Sequence, residues 1–207
     1  VFILASASVS RLRLLRQAGL DPQVMVSGLD EDAAVAAMPY PSPAQVALGL
    51  AVGKATRVAE VVDHVGALVL GCDSVFEFEG AALGKPATRE IAHERWQRMQ
   101  GRSGQLHTGH CLIRVGDPAS VVSQLVSTEV LMGTATTADI DYYLDSAEPY
   151  AVAGGFTLDG LGAPFVAGVS GDPGNVIGVS LPAVRRLAAD LGITWPQFVE
   201  CASAQSG

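Results

Sequence analysis

The sequence is poor in positive charge. Lysine and arginine number 13 against 21 aspartates and glutamates, a formal net charge of -8, whereas a protein that works mainly on a nucleic-acid backbone needs a broad basic surface. Any basic site in this chain must be local. Cysteine is scarce as well: Cys72, Cys111 and Cys201 are odd in number and fall in no CxxC or Cys/His ligand spacing. That excludes a sulfur-built metal site and predicts reduced thiols, as in a cytoplasmic compartment. No apolar run is long enough to span a bilayer, and no charged segment leads into a long apolar stretch in the manner of a secretory leader. The expectation is a soluble cytoplasmic protein with neither a membrane nor a nucleic-acid partner. Two phosphate-cradling glycine patterns, GxxxxGK(S/T) and GxGxxG, are also missing, so the P-loop and dinucleotide-binding readings lose their main support.

What is present is a chain of 207 residues, 49% hydrophobic, which can bury a substantial core without covalent staples. Val1 to Ala5 reads as a buried strand, and Ser8 or Ser10 can cap a helix that Gly19 ends. A short strand over Gln23 to Val26 precedes a loop from Leu29 to the prolines 39, 41 and 43. Ser42 with Pro43 then opens a long helix to about His64. Ala67 to Phe78 reads as a central strand entering a hairpin at Glu79-Gly80, and Thr88 caps a helix to about Gln100. Gln105 to Val115 and Val121 to Thr134 read as long strands joined by a turn at Gly116-Asp117-Pro118. A helix over Thr137 to Ser146, strands and tight loops over Ala153 to Gly178, and a helix from Ser180 to Gly192 complete the pattern. A loosely held tail is expected from about 196 to 207. This order predicts one α/β domain, 1–207, with a mixed central sheet, flanking helices and two lobes around a cleft.

The opening stretch LASASVSRLRLL sets a physical question. Arg11, Arg13 and Arg16 crowd a helix whose N-terminus disfavours cations and welcomes anions. A negative partner is expected there. Asp73 follows the buried run Leu68-Val69-Leu70, where a carboxylate must be paired or metal-bound; it is either a structural aspartate tied to a neighbouring loop or a working one. Ser74 points to the opposite face of a regular strand. Lys54 lies on the helix stripe Ala47, Leu50, Lys54, Val58, Val61, and either snorkels to solvent or serves a site. Lys85, held extended by Pro86, is a solvated loop lysine or an anion ligand. Glu31 belongs to an acidic surface loop or is a second metal-directed carboxylate. One anion answers all of these signals: a polyphosphate with its magnesium, which Asp73 and Glu31 would hold while Arg11, Lys54 and Lys85 take phosphate oxygens. His107 and His110 fall on opposite faces of their strand, which favours structural roles.

With those residues in place the chain resembles the Maf proteins, nucleoside triphosphate pyrophosphatases named for septum formation. The resemblance runs in order through LASASVSRLRLL, LDEDA, LAVGKA, GCDSVFEFEGAALGKP, GRSGQLHTG, IDYYLDSAEPYAVAGGF and GDPGNVIGVSL. It implies an elongated α/β fold related in architecture to inosine triphosphate pyrophosphatases, often as a homodimer. The implied activity is hydrolysis of a nucleoside triphosphate to the monophosphate and pyrophosphate with a divalent cation, magnesium or manganese, in the service of nucleotide-pool house-cleaning. The alternative is a nucleotide-binding regulator of division without turnover. By the family pattern Asp73 accepts the proton of the attacking water, and Ser8, Arg11, Glu31, Lys54 and Lys85 align with the other functional polar positions. The family usually has Ser-Pro-Arg-Arg where this chain has Ser8-Val9-Ser10-Arg11. Ser10, Ser74 and Asp159 align with positions that carry arginine, threonine and glutamine in members preferring dTTP and UTP, so a departure from that preference is expected. Asp159 either reads the base or caps the turn Leu158-Asp159-Gly160.

Overall fold

The computed structural model describes residues 1–116 and 120–203. It contains a seven-stranded mixed sheet with helices on both faces. Strands β1 (Phe2–Leu4), β2 (Gln23–Val24) and β3 (Leu68–Phe78) are parallel, in the order β2-β1-β3. The hairpin strand β4 (Ala81–Leu83), β5 (Ser103–Arg114), β6 (Val121–Met132) and β7 (Val166–Ser170) add antiparallel partners, extending the sheet to β3-β5-β6-β7. Helix α1 (Val9–Gln17) follows β1, and α2 (Glu31–Ala36) and α3 (Pro43–Ala59) lead into β3. The later helices are α4 (Arg89–Met99), α5 (Thr137–Leu144), α6 (Pro173–Ile177), α7 (Leu181–Asp190) and α8 (Trp195–Ser203).

Alternation along β3 sorts its side chains. Odd positions such as Val69 pack with Ile3, Cys111, Ala55 and Val58 under α3. Even positions serve two further cores on the opposite face. Leu68, Leu70 and Cys72 join Leu15, Val184, Leu187 and Phe198, whereas Phe76 and Phe78 join Trp96, Met99, Ile140 and Tyr143. Between these cores, at Ser74, the face is polar. Helix α3 lies unusually close to the sheet. A Cβ at Gly71 would sit 2.2 Å from the Ala51 carbonyl oxygen, and one at Gly109 would sit 2.3 Å from that of Ala47. Only glycine at both positions admits this contact, and they are nearly adjacent across the β3–β5 ladder, where Gly71 pairs Cys111 and Gly109 pairs Asp73.

Several expectations need correction. The acidic loop contains α2: Asp30 caps it by accepting from the Ala33 N–H at 2.9 Å, and Glu31 and Asp32 suit its first turn. The long helix ends at Ala59 rather than near His64. The glycine-rich tract includes α6, capped by Asp172. The tail from 196 onward is a docked helix as far as Ser203, because Phe198 and Ala202 are fully buried against the first core. Its Pro196 stands in the first turn, where the missing N–H is no loss. The turn expected at Gly116-Asp117-Pro118 falls largely outside the described residues.

Candidate active site

The sheet leaves a gap along one edge of β3. Strand β1 pairs β3 over Leu68–Leu70, with the Ala5 N–H donating to the Leu70 carbonyl at 2.8 Å, and β4 pairs it over Phe76–Phe78. Residues 71–75 of β3 therefore have neither strand beside them on that edge. This notch lies at the carboxyl end of β1, where the chain crosses to β2 with α1 on one face and returns to β3 with α3 on the other. Such a switch point is where open α/β sheets bind ligands.

On the α3 side, Asp73 projects from the notch toward Lys54. The Lys54 ammonium donates to Asp73 Oδ1 at 2.5 Å and pairs with Glu31 Oε1 at 2.8 Å. Lys54 is 9% exposed, so its head is drawn into the site and does not snorkel to solvent. Glu31 reaches it from the first residue of α2 and is half-exposed. One cation thus stands against two carboxylates, and this face carries surplus negative charge.

On the other side, Arg11 is equally buried, at 9% exposure. Its guanidinium donates to the Gly178 carbonyl at 2.8 Å, Ser6 Oγ at 3.0 Å, the Cys72 carbonyl at 2.9 Å and Ser74 Oγ at 3.1 Å. These acceptors are neutral, and no carboxylate pairs with Arg11 among the described residues. Its charge is therefore held but not cancelled, beside the N-terminus of α1, where Ser8 caps the helix by accepting from the Arg11 N–H. The two other arginines that crowd α1 are answered within the protein: Arg13 by Asp159 and Arg16 by Asp21, the latter at 2.7 Å. The question posed by the sequence narrows to one buried cation and one helix end, both suited to an anion.

Burial tunes the groups around this cation. His110 is held down to about 4, first by desolvation and then by the Arg11 charge, and its Nε2 accepts from the Ser180 N–H at 2.9 Å. Burial pushes the Cys72 thiol up to about 11. His107 bridges Ser127 at 2.7 Å and Glu77 at 2.9 Å on the opposite face. Both histidines thus have structural partners.

Asp73, Lys54 and Glu31 come together, and so do Ser8, Arg11 and Ser74, on the two sides of one strand. Ser10 lies in the first turn of α1, partly buried. Asp159 meets Arg13, which ties its loop to α1. Lys85 is exposed on the connection from β4 to α4 and touches none of these residues among the described contacts. Sequence reasoning missed Ser6, Thr108 and Asn175. Thr108 and Asn175 are fully buried and carry the polar seam behind Ser74. Their signal was a hydroxyl and an amide set among residues otherwise suited to a core.

Fold and notch together define an α/β protein with a charge-divided notch at a strand switch point. The Maf family, described as "Maf-like protein", matches residues 1–191. The chain belongs to that family. A protein of Streptomyces coelicolor is 56% identical over 192 residues, covering 92% of this chain and 90% of the relative. One of Streptomyces avermitilis is 54% identical over 193 residues with the same coverages, 92% and 90%. A Mycobacterium protein (strain JLS) is 50% identical over 200 residues, covering 94% and 95%. Each relative bears the name nucleoside triphosphate pyrophosphatase.

Proposed function

We propose that this protein hydrolyses the α–β phosphoanhydride of a nucleoside triphosphate, releasing the monophosphate and pyrophosphate. The observation that carries the reading is the division of charge across the notch: surplus carboxylate beside Asp73, surplus guanidinium beside Ser74. A metal–triphosphate complex has the same division, a cation at one place and phosphate oxygens at another. The names of the relatives agree with this reading.

The donor set fits magnesium, or manganese in its place, because such a cation uses one or two carboxylates and completes its shell with substrate phosphates and water. Asp73 and Glu31 would hold it; both already converge on a single cationic atom, Lys54 Nζ. Bound there, the metal would neutralise charge on the phosphates and orient water. The remaining work falls to the chain. Lys54 orients Asp73 through Oδ1, and the carboxylate, with two lone pairs on each oxygen, keeps capacity to accept the proton of the attacking water. As the water oxygen bonds to phosphorus, the bridging P–O bond breaks and its electron pair departs with pyrophosphate. Arg11 and the N-terminal N–H groups of α1 stabilise the phosphate oxygens, and Lys85 adds charge from its loop. Release of a monophosphate and pyrophosphate suits a role in clearing unwanted nucleotides.

Product analysis tests the reading. A triphosphate panel assayed with magnesium is expected to give pyrophosphate and monophosphate in equal amounts. Orthophosphate with diphosphate, and no pyrophosphate, would overturn it.

A further inference from the structure

The seam behind the notch has a direction that follows from counting protons. Arg11 Nη2 can only donate, so Ser74 Oγ accepts from it at 3.1 Å. Thr108 Oγ1 donates its single proton to the Asn175 carbonyl at 3.1 Å. The 2.9 Å contact between Ser74 Oγ and Thr108 Oγ1 must then use the Ser74 proton. The chain runs one way: Arg11 to Ser74 to Thr108 to the Asn175 carbonyl. The side chain of Asn175 is itself clamped, its amide nitrogen lying 3.1 Å from Leu106 O, 3.3 Å from Val126 O and 3.0 Å from Thr128 Oγ1, three acceptors for its two protons. Neither end of the chain can reverse.

The consequence is that Ser74 has no proton left for a ligand and one lone pair still open. Ser6 is the opposite case. It accepts from Arg11 at 3.0 Å and from the Ser8 N–H at 3.2 Å, so its proton is the part still available. Arg11 therefore sorts two hydroxyls at one opening into an acceptor and a donor. The donor, beside the α1 N-terminus, suits a phosphate oxygen. The acceptor, on the strand, suits the nucleoside.

We propose that Thr108 is a positioning residue for substrate selection: by taking the Ser74 proton it makes that hydroxyl an obligate acceptor, so the nucleoside must present a hydrogen-bond donor to it. The donor is an amino or imino group of the base or a hydroxyl of the sugar. This inference rests on the pyrophosphatase reading and adds to it the polarity of the group recognised. Thr108 is fully buried and acts only through Ser74.

The test measures kcat/KM for pyrophosphate release from matched triphosphates that differ by one donor. GTP against ITP isolates a 2-amino group, ATP against purine riboside triphosphate a 6-amino group, and UTP against its N3-methyl analogue an imino group. Each ribonucleotide against its 2′-deoxy form isolates the sugar hydroxyl. The wild-type protein is expected to favour the donor-bearing member of at least one pair by about fivefold, the worth of one hydrogen bond. Which pair responds tells base from sugar. T108V frees the Ser74 proton and should bring that ratio close to one, whereas T108S, which keeps the chain, should retain it. S74A removes the acceptor and should also flatten the ratio, which decides the matter if T108V fails to fold. Pyrophosphate release with no pair favouring its donor-bearing member, or a ratio that survives in a folded T108V or S74A, overturns the proposal alone. No pyrophosphate from any nucleotide overturns the underlying reading.

Discussion

Asp73 and Ser74 are neighbours in β3, yet the cations behind them are held in opposite ways. Lys54 is held by carboxylates, one partly buried and one half-exposed, and its charge is more than cancelled. Arg11 is held by two carbonyls and two hydroxyls, which orient the guanidinium without neutralising it. Arginine suits the second arrangement because its planar fork reaches several acceptors at once, and lysine suits the first because its ammonium is a point charge. Burial alone does not say whether a cation is structural. What matters is whether the groups that bury it also cancel it.

Neutralising one side of the notch should have the largest effect. Asp73→Asn keeps the shape but accepts no proton and offers the metal no charge, so kcat should fall by about 10³-fold with circular dichroism unchanged. Near-normal turnover in the folded variant would remove Asp73 from its role. Next in size is Gly71→Ala, which forces α3 off the sheet and with it Lys54 off Asp73. A loss of about 3 kcal/mol in denaturant unfolding is expected, and a loss under 1 kcal/mol would show that α3 shifts freely.

On the uncancelled side the probe is pH. The folded His110 titrates at about 4 against an ordinary 6.5, so its contribution to stability is fully present above pH 6.5 and is lost as the pH falls toward 4. The lowered value makes protonation favour the unfolded chain by up to about 3 kcal/mol. Urea unfolding between pH 7 and pH 4 should show the decline, and H110Q should flatten it; parallel curves would contradict the assignment. The smallest effect on the fold is expected from Lys85→Ala. Its stability should stay within about 0.5 kcal/mol of wild type, while kcat/KM falls about tenfold through loss of one phosphate contact. An unchanged kcat/KM would make Lys85 a solvated loop residue.

These residues were unequally legible. Period-two alternation placed Asp73 and Ser74 on opposite faces, and the helical stripe of α3 put Lys54 among apolar neighbours; both are local patterns. The partners of Arg11 were not local. Apart from Ser6, 5 residues away, they lie 61, 63 and 167 residues away, so the residues near Arg11 could not show that most of its donors were taken. The mixed sheet was legible from strand and helix order. Helix α2 was hidden because three prolines dominated the reading of its loop, although Asp30 before Glu31 and Asp32 was a capping signal. Helix α8 was hidden because its place near the end of the sequence pointed to a loose tail, although Pro196 suits a first helical turn.

The glycines beneath α3 guard more than packing. Had β3 paired with β5 one residue out of step, every side chain on it would change face. The carboxylate would then look toward the guanidinium and the hydroxyl toward the ammonium, and the opening would be inverted. But such a slip also brings Leu70 or Cys72 under the Ala51 carbonyl, where not even a Cβ fits. Gly71 and Gly109 act as a gauge that only correctly aligned chains pass. A slipped β3 would therefore both reverse its faces and push α3 off the sheet, so alignment of the strand and closure of the helix over it are one steric condition.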